Sequence, residues 1–244
     1  FFTKIIEPIT LVLSHSFYTV CEAMEKRDFL KFYSKKSIGV IHNSAPSINF
    51  ENIQKNKLRE TYKIPKDNLI VVIVGRMVYD KGITFVAEAI NKMQDPDVTF
   101  VFIGDGPILE DLGVLLQKQI LIGNVILLGK QKNIISILME CDIFLFATLH
   151  ENLSNALLEA CSVGLSIIAT NIGGNPEVIK HNKNGILIPP KDSSSIVDAI
   201  KYLKDNKDQR VILGTHAIDS VKNQFSQKKM LESLKNTYNS LLEQ

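Results

Sequence analysis

Between Leu69 and Ile188 the chain runs through six short apolar segments, each followed by a stretch with helical periodicity. The clearest, Ile70-Val71-Val72-Ile73-Val74, is an unbroken β-branched run. It is too short for a helix of its own and has no polar alternation, which fits a parallel strand covered on both faces. Its successors are Val98–Ile103, Val125–Leu128, Ile143–Ala147, Ile167–Thr170 and Gly185–Ile188. Helical patterns are predicted over 83–93, 108–119 and 133–140, through the LLEAC stretch that Gly164 stops, near 177–181, and over 194–205, 209–223 and 226–242. This alternation constrains the chain to an α/β fold built on a parallel sheet. In such sheets ligands bind at the C-terminal ends of the strands. Gly75-Arg76, Gly104-Asp105-Gly106, Gly129-Lys130, His150-Glu151 and Gly173-Gly174 all fall at such ends.

Upstream of Leu69 the pattern is less regular. Ile9–Ser14 reads as a short buried strand, 17–32 as a helix and Ser37–Ile41 as a strand. A turn-rich connection over 42–47 and a polar helix from Gln54 to Tyr62 follow. The opening FFTKIIEPITLVL is broken by Lys4, Glu7 and Pro8, too soon to span a bilayer, and lacks a signal-peptide cleavage pattern. Residue 1 is Phe and already reads as the middle of a domain, so the chain is expected to be a piece of a longer protein. Its 28 Lys and Arg against 26 Asp and Glu give a charge of +2, which argues against a broad nucleic-acid surface. The 3 cysteines and 5 histidines show no metal or redox spacing, so the thiols read as buried and reduced.

Several strand ends carry residues suited to a phosphorylated ligand. Gly75-Arg76 and Lys81-Gly82 put two cations on one strand-to-helix loop. Arg can bind two phosphate oxygens, and Lys acts as a point charge. The spacing is not that of a P-loop, and surface charge explains it equally well. Gly104-Asp105-Gly106-Pro107 is half of a dinucleotide fingerprint without its third glycine, and a turn with Pro opening the next helix accounts for it. Glu151 and Glu159 flank Asn152-Leu153-Ser154-Asn155 and the first turns of a helix. Taken alone, the two acids could cap or solvate that helix, and His150 could be a packing residue.

In order along the chain, VGRMVYDKG, FIGDGP, HENLSNALLEACSVGLSIIATNIGGNPEVI, GILIPPKD and FSQKKMLESLKNTYNSLL together resemble the family 4 retaining glycosyltransferases. The resemblance covers roughly residues 37–244. It implies the two-domain GT-B fold, of which this chain would hold the C-terminal half: a Rossmann-like parallel sheet with helices on both faces. Residues 1–36 would be the tail of an N-terminal acceptor domain, 37–225 the nucleotide-sugar domain, and 226–244 a helix packing back toward the N-terminal domain. Roles follow by position. Arg76 and Lys81 would hold the donor diphosphate, and Glu151 would meet hydroxyls of the transferred sugar. Asn152, Leu153, Ser154 and Asn155 would offer amides, and Glu159 would bind the ribose. Gly75 and Gly104 would let the backbone approach the donor, while Gly129 and Lys130 would line the nucleobase site. Glu151, Arg76 and Lys81 are the candidate catalytic residues.

Such enzymes need no metal and no cofactor beyond the donor, a UDP- or GDP-linked sugar. The implied acceptor is a glycan or lipid-linked hydroxyl, the implied location cytoplasmic, with membrane contact made peripherally through the N-terminal domain. Ala147-Thr148 replaces the usual Pro-Ser before the first Glu, and no histidine here matches the one the family carries in its N-terminal half. The chain alone is therefore expected to bind nucleotide and transfer poorly. Its alternatives are a non-catalytic nucleotide-sugar-binding subunit completed by a separate N-terminal half, or an epimerase of the same architecture. A dinucleotide oxidoreductase is disfavoured by the missing third glycine.

Overall fold

In a computed structural model of the chain, residues 7–53 and 57–242 are described. The segment up to Val40 forms a small two-stranded layer whose Cys21 packs into a core shared with the rest of the chain. It contains α1 (Glu7–Leu13), β1 (Phe17–Thr19), the one-turn helices α2 (Glu22–Glu25) and α3 (Asp28–Lys31), and β2 (Ser37–Val40), which pairs in parallel with β1. Two expectations fail here. Ile9–Ser14 is helix rather than strand, because a short apolar run carries no period that separates the two. Pro8 lies in its first turn, where a missing N–H costs nothing. The Lys36 ammonium lies 3.0, 2.8 and 2.9 Å from the carbonyls of Leu11, Val12 and Ser14, satisfying the helix end. The expected helix over 17–32 is interrupted by β1 and by extended backbone at Cys21 (φ −158°, ψ 154°).

Of the predicted polar helix, residues 54–56 lie outside the described residues, and α4 (Leu58–Thr61) is its remainder. The repeating part follows as β3 (Leu69–Val74), α5 (Ile83–Met93), β4 (Val98–Ile103), α6 (Leu109–Leu115), α7 (Gln117–Leu121), β5 (Val125–Gly129), α8 (Ile134–Leu138), β6 (Ile143–Phe146), α9 (Asn155–Ser162), β7 (Ser166–Thr170), α10 (Asn175–Val178) and β8 (Ile186–Ile188). Helices α11 (Ser193–Asp205), α12 (Lys207–Gln224) and α13 (Gln227–Leu242) close the chain. The single helix expected over 108–119 is split, since Leu116 leaves helical geometry (φ −110°, ψ 16°) while fully buried. Pro107 precedes that helix rather than opening it.

The six strands form one all-parallel sheet in the order β5-β4-β3-β6-β7-β8. Successive strands step outward from β3 to β5, after which the chain crosses back and steps outward the other way from β6 to β8. Direction therefore reverses between β3 and β6, which pair through Val71 with Ile143 and Val72 with Phe144. Each strand feeds both faces, as period-2 geometry requires. Leu69, Val71 and Ile73 join the core under α5, α6 and α11, while Ile70, Val72 and Val74 join the one under α8, α9 and α12. This double burial explains the unbroken apolar runs. Among the described residues no helix is long and apolar enough to cross a membrane.

Phe144 is fully buried on the second face, with its ring stacked 5.8 Å from that of Phe146. Phe144→Ala is expected to destabilise the chain by about 3–5 kcal/mol, the range for an aromatic truncated in a core. Urea unfolding measures this, with an unchanged slope showing that the loss lies in stability alone.

Candidate active site

The point where strand order reverses is where an open parallel sheet leaves a crevice. Here the loops after β3 and β6 flank it, and they are locked together. The Leu149 N–H donates to the Asp80 carbonyl at 2.7 Å, and the Thr148 hydroxyl lies 3.1 Å from the same oxygen. Gly82, left-handed at φ +68°, begins α5 against this loop, and a Cβ there would fall 1.9 Å from the Ala147 carbonyl oxygen. Only glycine supplies both the conformation and the space. The result is a contact across the reversal point: the Lys81 ammonium donates to Glu151 Oε2 at 2.6 Å. Both side chains are largely buried, 25% and 15% exposed, and Lys81 also sits 5.4 Å from the centre of the Phe146 ring.

On one side of this pair the ends of β3, β4 and β5 enclose a cleft of about 430 Å³, lined among others by Gly75, Arg76, Gly104, Gly106, Lys130 and Ile134. Backbone bonds hold its floor, from Gly75 N–H to Ile103 O at 3.0 Å, Met77 N–H to Asp105 O at 2.9 Å and Gly104 N–H to Gly129 O at 2.9 Å. Arg76 and Lys130 are exposed and make no ion pair among the described residues, so two cations stand free on one cleft. On the other side stands α9. Ser154 caps it, its hydroxyl accepting the Leu157 N–H at 3.4 Å while its carbonyl accepts the Leu158 N–H at 3.2 Å. The earliest amides of α9, at Asn155 and Ala156, have no carbonyl within the helix to pair with.

Glu159 lies one turn further along α9. Its side chain has no hydrogen bond or ion pair among the described residues, and burial pushes its carboxyl above the ordinary value. A half-buried unpaired carboxylate costs stability and marks a place where a ligand's hydroxyls can compensate.

The structure thus brings Lys81 to Glu151, and brings Gly75, Arg76, Gly104 and Lys130 onto one cleft whose floor includes Gly129. It shows no bond joining Arg76 to either glutamate. One placement differs from expectation: the Asn152 amide is taken by Glu151, whose Oε1 accepts it at 3.2 Å. The Leu153 side chain is buried, and its carbonyl accepts from the Asn43 side chain at 3.1 Å. Among the described residues no cluster of His, Cys, Asp and Glu could hold a metal ion. Gln131 and Ile134 also line the cleft; the first is an uncharged neighbour of Lys130 and the second an apolar residue opening α8, and neither carries a local signal of its own.

The fold is the Rossmann-like α/β domain found in GT-B glycosyltransferases. Residues 54–236 match the family described as glycosyl transferases group 1, and the chain belongs to that family. It is 29% identical over 209 residues to the N-acetyl-alpha-D-glucosaminyl L-malate synthase of Bacillus anthracis, covering 85% of this chain and 55% of that protein. It is 30% identical over 199 residues to the UDP-Gal:alpha-D-GlcNAc-diphosphoundecaprenol alpha-1,3-galactosyltransferase of Escherichia coli, covering 80% and 50%. In fold it is similar to Anabaena Alr3699/HepE in complex with UDP, with a TM-score of 0.84 at 18% identity, covering 98% of this chain and 69% of that one. The chain spans about half the length of these curated relatives.

The raised Glu159 carboxyl gives a signed prediction. The folded chain holds that proton more tightly than the unfolded chain, so ionising Glu159 destabilises the fold. The cost is fully present above the folded value and vanishes as pH falls below the unfolded one, about 4.3. Glu159→Gln is therefore expected to raise the melting temperature of the unliganded chain by a few degrees at pH 8, a gain that fades toward pH 4. Scanning calorimetry across that range checks it.

Proposed function

We propose that this chain is the donor-binding part of a retaining glycosyltransferase that moves a sugar from a nucleoside diphosphate sugar to a hydroxyl of a glycan or lipid-linked acceptor. The observation that carries the reading is the Lys81–Glu151 contact across the strand-order reversal. A diphosphate entering there takes Lys81 from Glu151 and frees that carboxylate for sugar hydroxyls. The bond from the anomeric carbon to the diphosphate breaks, the bond to the acceptor oxygen forms on the same face, and the acceptor's proton passes to the departing phosphate oxygen. Negative charge grows on the leaving diphosphate, where Arg76 and Lys81 offset it without a metal ion. The cleft beside Gly129 and Lys130 takes the base, and Glu159 accepts from the ribose. The name of the E. coli relative, which pairs a UDP-linked sugar with a diphosphoundecaprenol acceptor, supports this donor and acceptor class.

Titration calorimetry tests the reading with UDP, GDP, UDP-galactose, UDP-N-acetylglucosamine and GDP-mannose against the native chain, Arg76→Ala and Glu159→Ala. Each substitution is expected to weaken the best ligand by about tenfold or more, the size of one lost charge-assisted contact. Affinity unchanged in both variants would sink the assignment of the site.

A further inference from the structure

The loop that carries Glu151 is held from outside the parallel sheet. Five polar groups of the segment 21–43 reach it or its neighbour. The Arg27 guanidinium donates to Asn152 Oδ1. The Asn43 side chain donates to the Leu153 carbonyl at 3.1 Å. Glu177, in the one-turn helix α10 that follows β7, accepts the N–H groups of Glu22 and Ala23 at 3.1 and 3.0 Å and so caps α2. The same carboxylate lies 2.9 Å from His42 Nε2, which must be the protonated ring nitrogen if the acceptor is ionised.

The Glu177 turn is in turn joined to the Glu151 loop. The Gly174 N–H donates to the Asn152 carbonyl at 2.8 Å. A Cβ at Gly173, which is left-handed at φ +51°, would fall 1.9 Å from the Glu151 carbonyl oxygen. At Gly174 an added Cβ would meet the Asn152 carbonyl oxygen at 2.1 Å and the buried Cys21 side chain at 3.1 Å. The two loops and the segment 21–43 therefore form one hydrogen-bonded unit.

The bonds made by the segment 21–43 itself are one-sided. Among the described residues no hydrogen bond joins the segment 21–43 to the loops after β3, β4 or β5, which line the cleft assigned to the nucleotide. Those loops are tied to one another by backbone alone. We propose that Arg27 and Glu177 are positioning residues for the sugar end of the donor site, setting where the Glu151 carboxylate stands while leaving the nucleotide end untouched. Arg27 orients Asn152, whose amide in turn holds Glu151 Oε1. Glu177 anchors the turn that backs the same loop. Its three donors need an acceptor at both oxygens, which a glutamine amide cannot offer.

This inference rests on the donor-site reading above. Its test uses the full chain, the sugar nucleotide of the panel that binds tightest, and the matching nucleoside diphosphate. The quantity read is the ratio of the two dissociation constants. In Arg27→Ala and Glu177→Gln that ratio is expected to rise about fivefold against the sugar nucleotide, with affinity for the bare diphosphate changing by less than about twofold. Arg27→Lys, which keeps one donor, should restore most of the native ratio. In an Asn152→Ala background Arg27→Ala should have no further effect, since the two act through one contact. Arg27 is exposed, so its removal leaves the fold intact.

A native ratio in both variants, with diphosphate still bound, overturns the inference and leaves the donor site standing. Equal weakening of both ligands with a lower melting temperature overturns it too, because the segment would then be scaffold only. Absence of all binding by the native chain removes the donor-site reading itself.

Discussion

One constraint organises this molecule: in an all-parallel sheet whose strand order reverses at β3 and β6, two loops that start far apart in sequence must diverge around a common crevice. Lys81 and Glu151, 70 residues apart, meet there because their strands are hydrogen-bonded neighbours. The ladder itself is held by apolar burial on both faces, so it is stiff where the loops leave it. The loops inherit that stiffness through backbone bonds such as Leu149 to Asp80, and need few contacts of their own to be well placed.

The charges at this crevice are distributed unevenly. The Lys81–Glu151 pair is partly removed from water, so each partner would be expensive to leave unpaired. Arg76 and Lys130 stay solvated and free, and Glu159 is half-buried without a partner. A ligand with negative charge at its middle and hydroxyls at its ends relieves this arrangement, since the phosphates meet the cations and the hydroxyls meet the carboxylates. A ligand lacking either part leaves one set unmet. The selectivity of the proposed site for a nucleoside diphosphate sugar thus follows from which groups the protein leaves unsatisfied, rather than from the number of contacts.

Much of the fold could be read from residues. The run 70–74 fixes β3 because nothing polar interrupts it, and the expected helix 83–93 coincides with α5, which ends with a left-handed residue, Gln94. Gly164 does stop α9, at φ +80°. The failures have physical causes. Ile9–Ser14 is too short for its period to decide between strand and helix, and the carbonyl cap from Lys36 that favours helix comes from 22–25 residues away. The split between α6 and α7 reflects the burial of Leu116, which tertiary packing decides. In the candidate site, the loops were legible from glycines and cations at strand ends. That Lys81 touches Glu151 depends on strand order, which no local pattern encodes. The contacts of Arg27 and Glu177 cross 125 and 155 residues; Arg27 has no motif around it, and the segment that holds Glu177 does not say what the carboxylate meets.

The two ends of the crevice are therefore built by different means, with a consequence for how such a site can change. The cleft after β3, β4 and β5 is closed by main-chain bonds, which almost any sequence can make provided its glycines are kept. Substitution there alters lining side chains without moving the floor. The Glu151 loop, besides its backbone bonds to the Asp80 loop, is held by the side chains of Arg27 and Asn43 and backed by the turn that Glu177 anchors, each through a bond that a single substitution removes. In the proposed site, small changes in the segment 21–43 shift the Glu151 carboxylate, and each hydrogen bond to a sugar hydroxyl that is gained or lost is worth about 0.5–1.5 kcal/mol. In the proposed site the nucleotide end is thus conservative by geometry and the sugar end adjustable by sequence, within a single sheet edge.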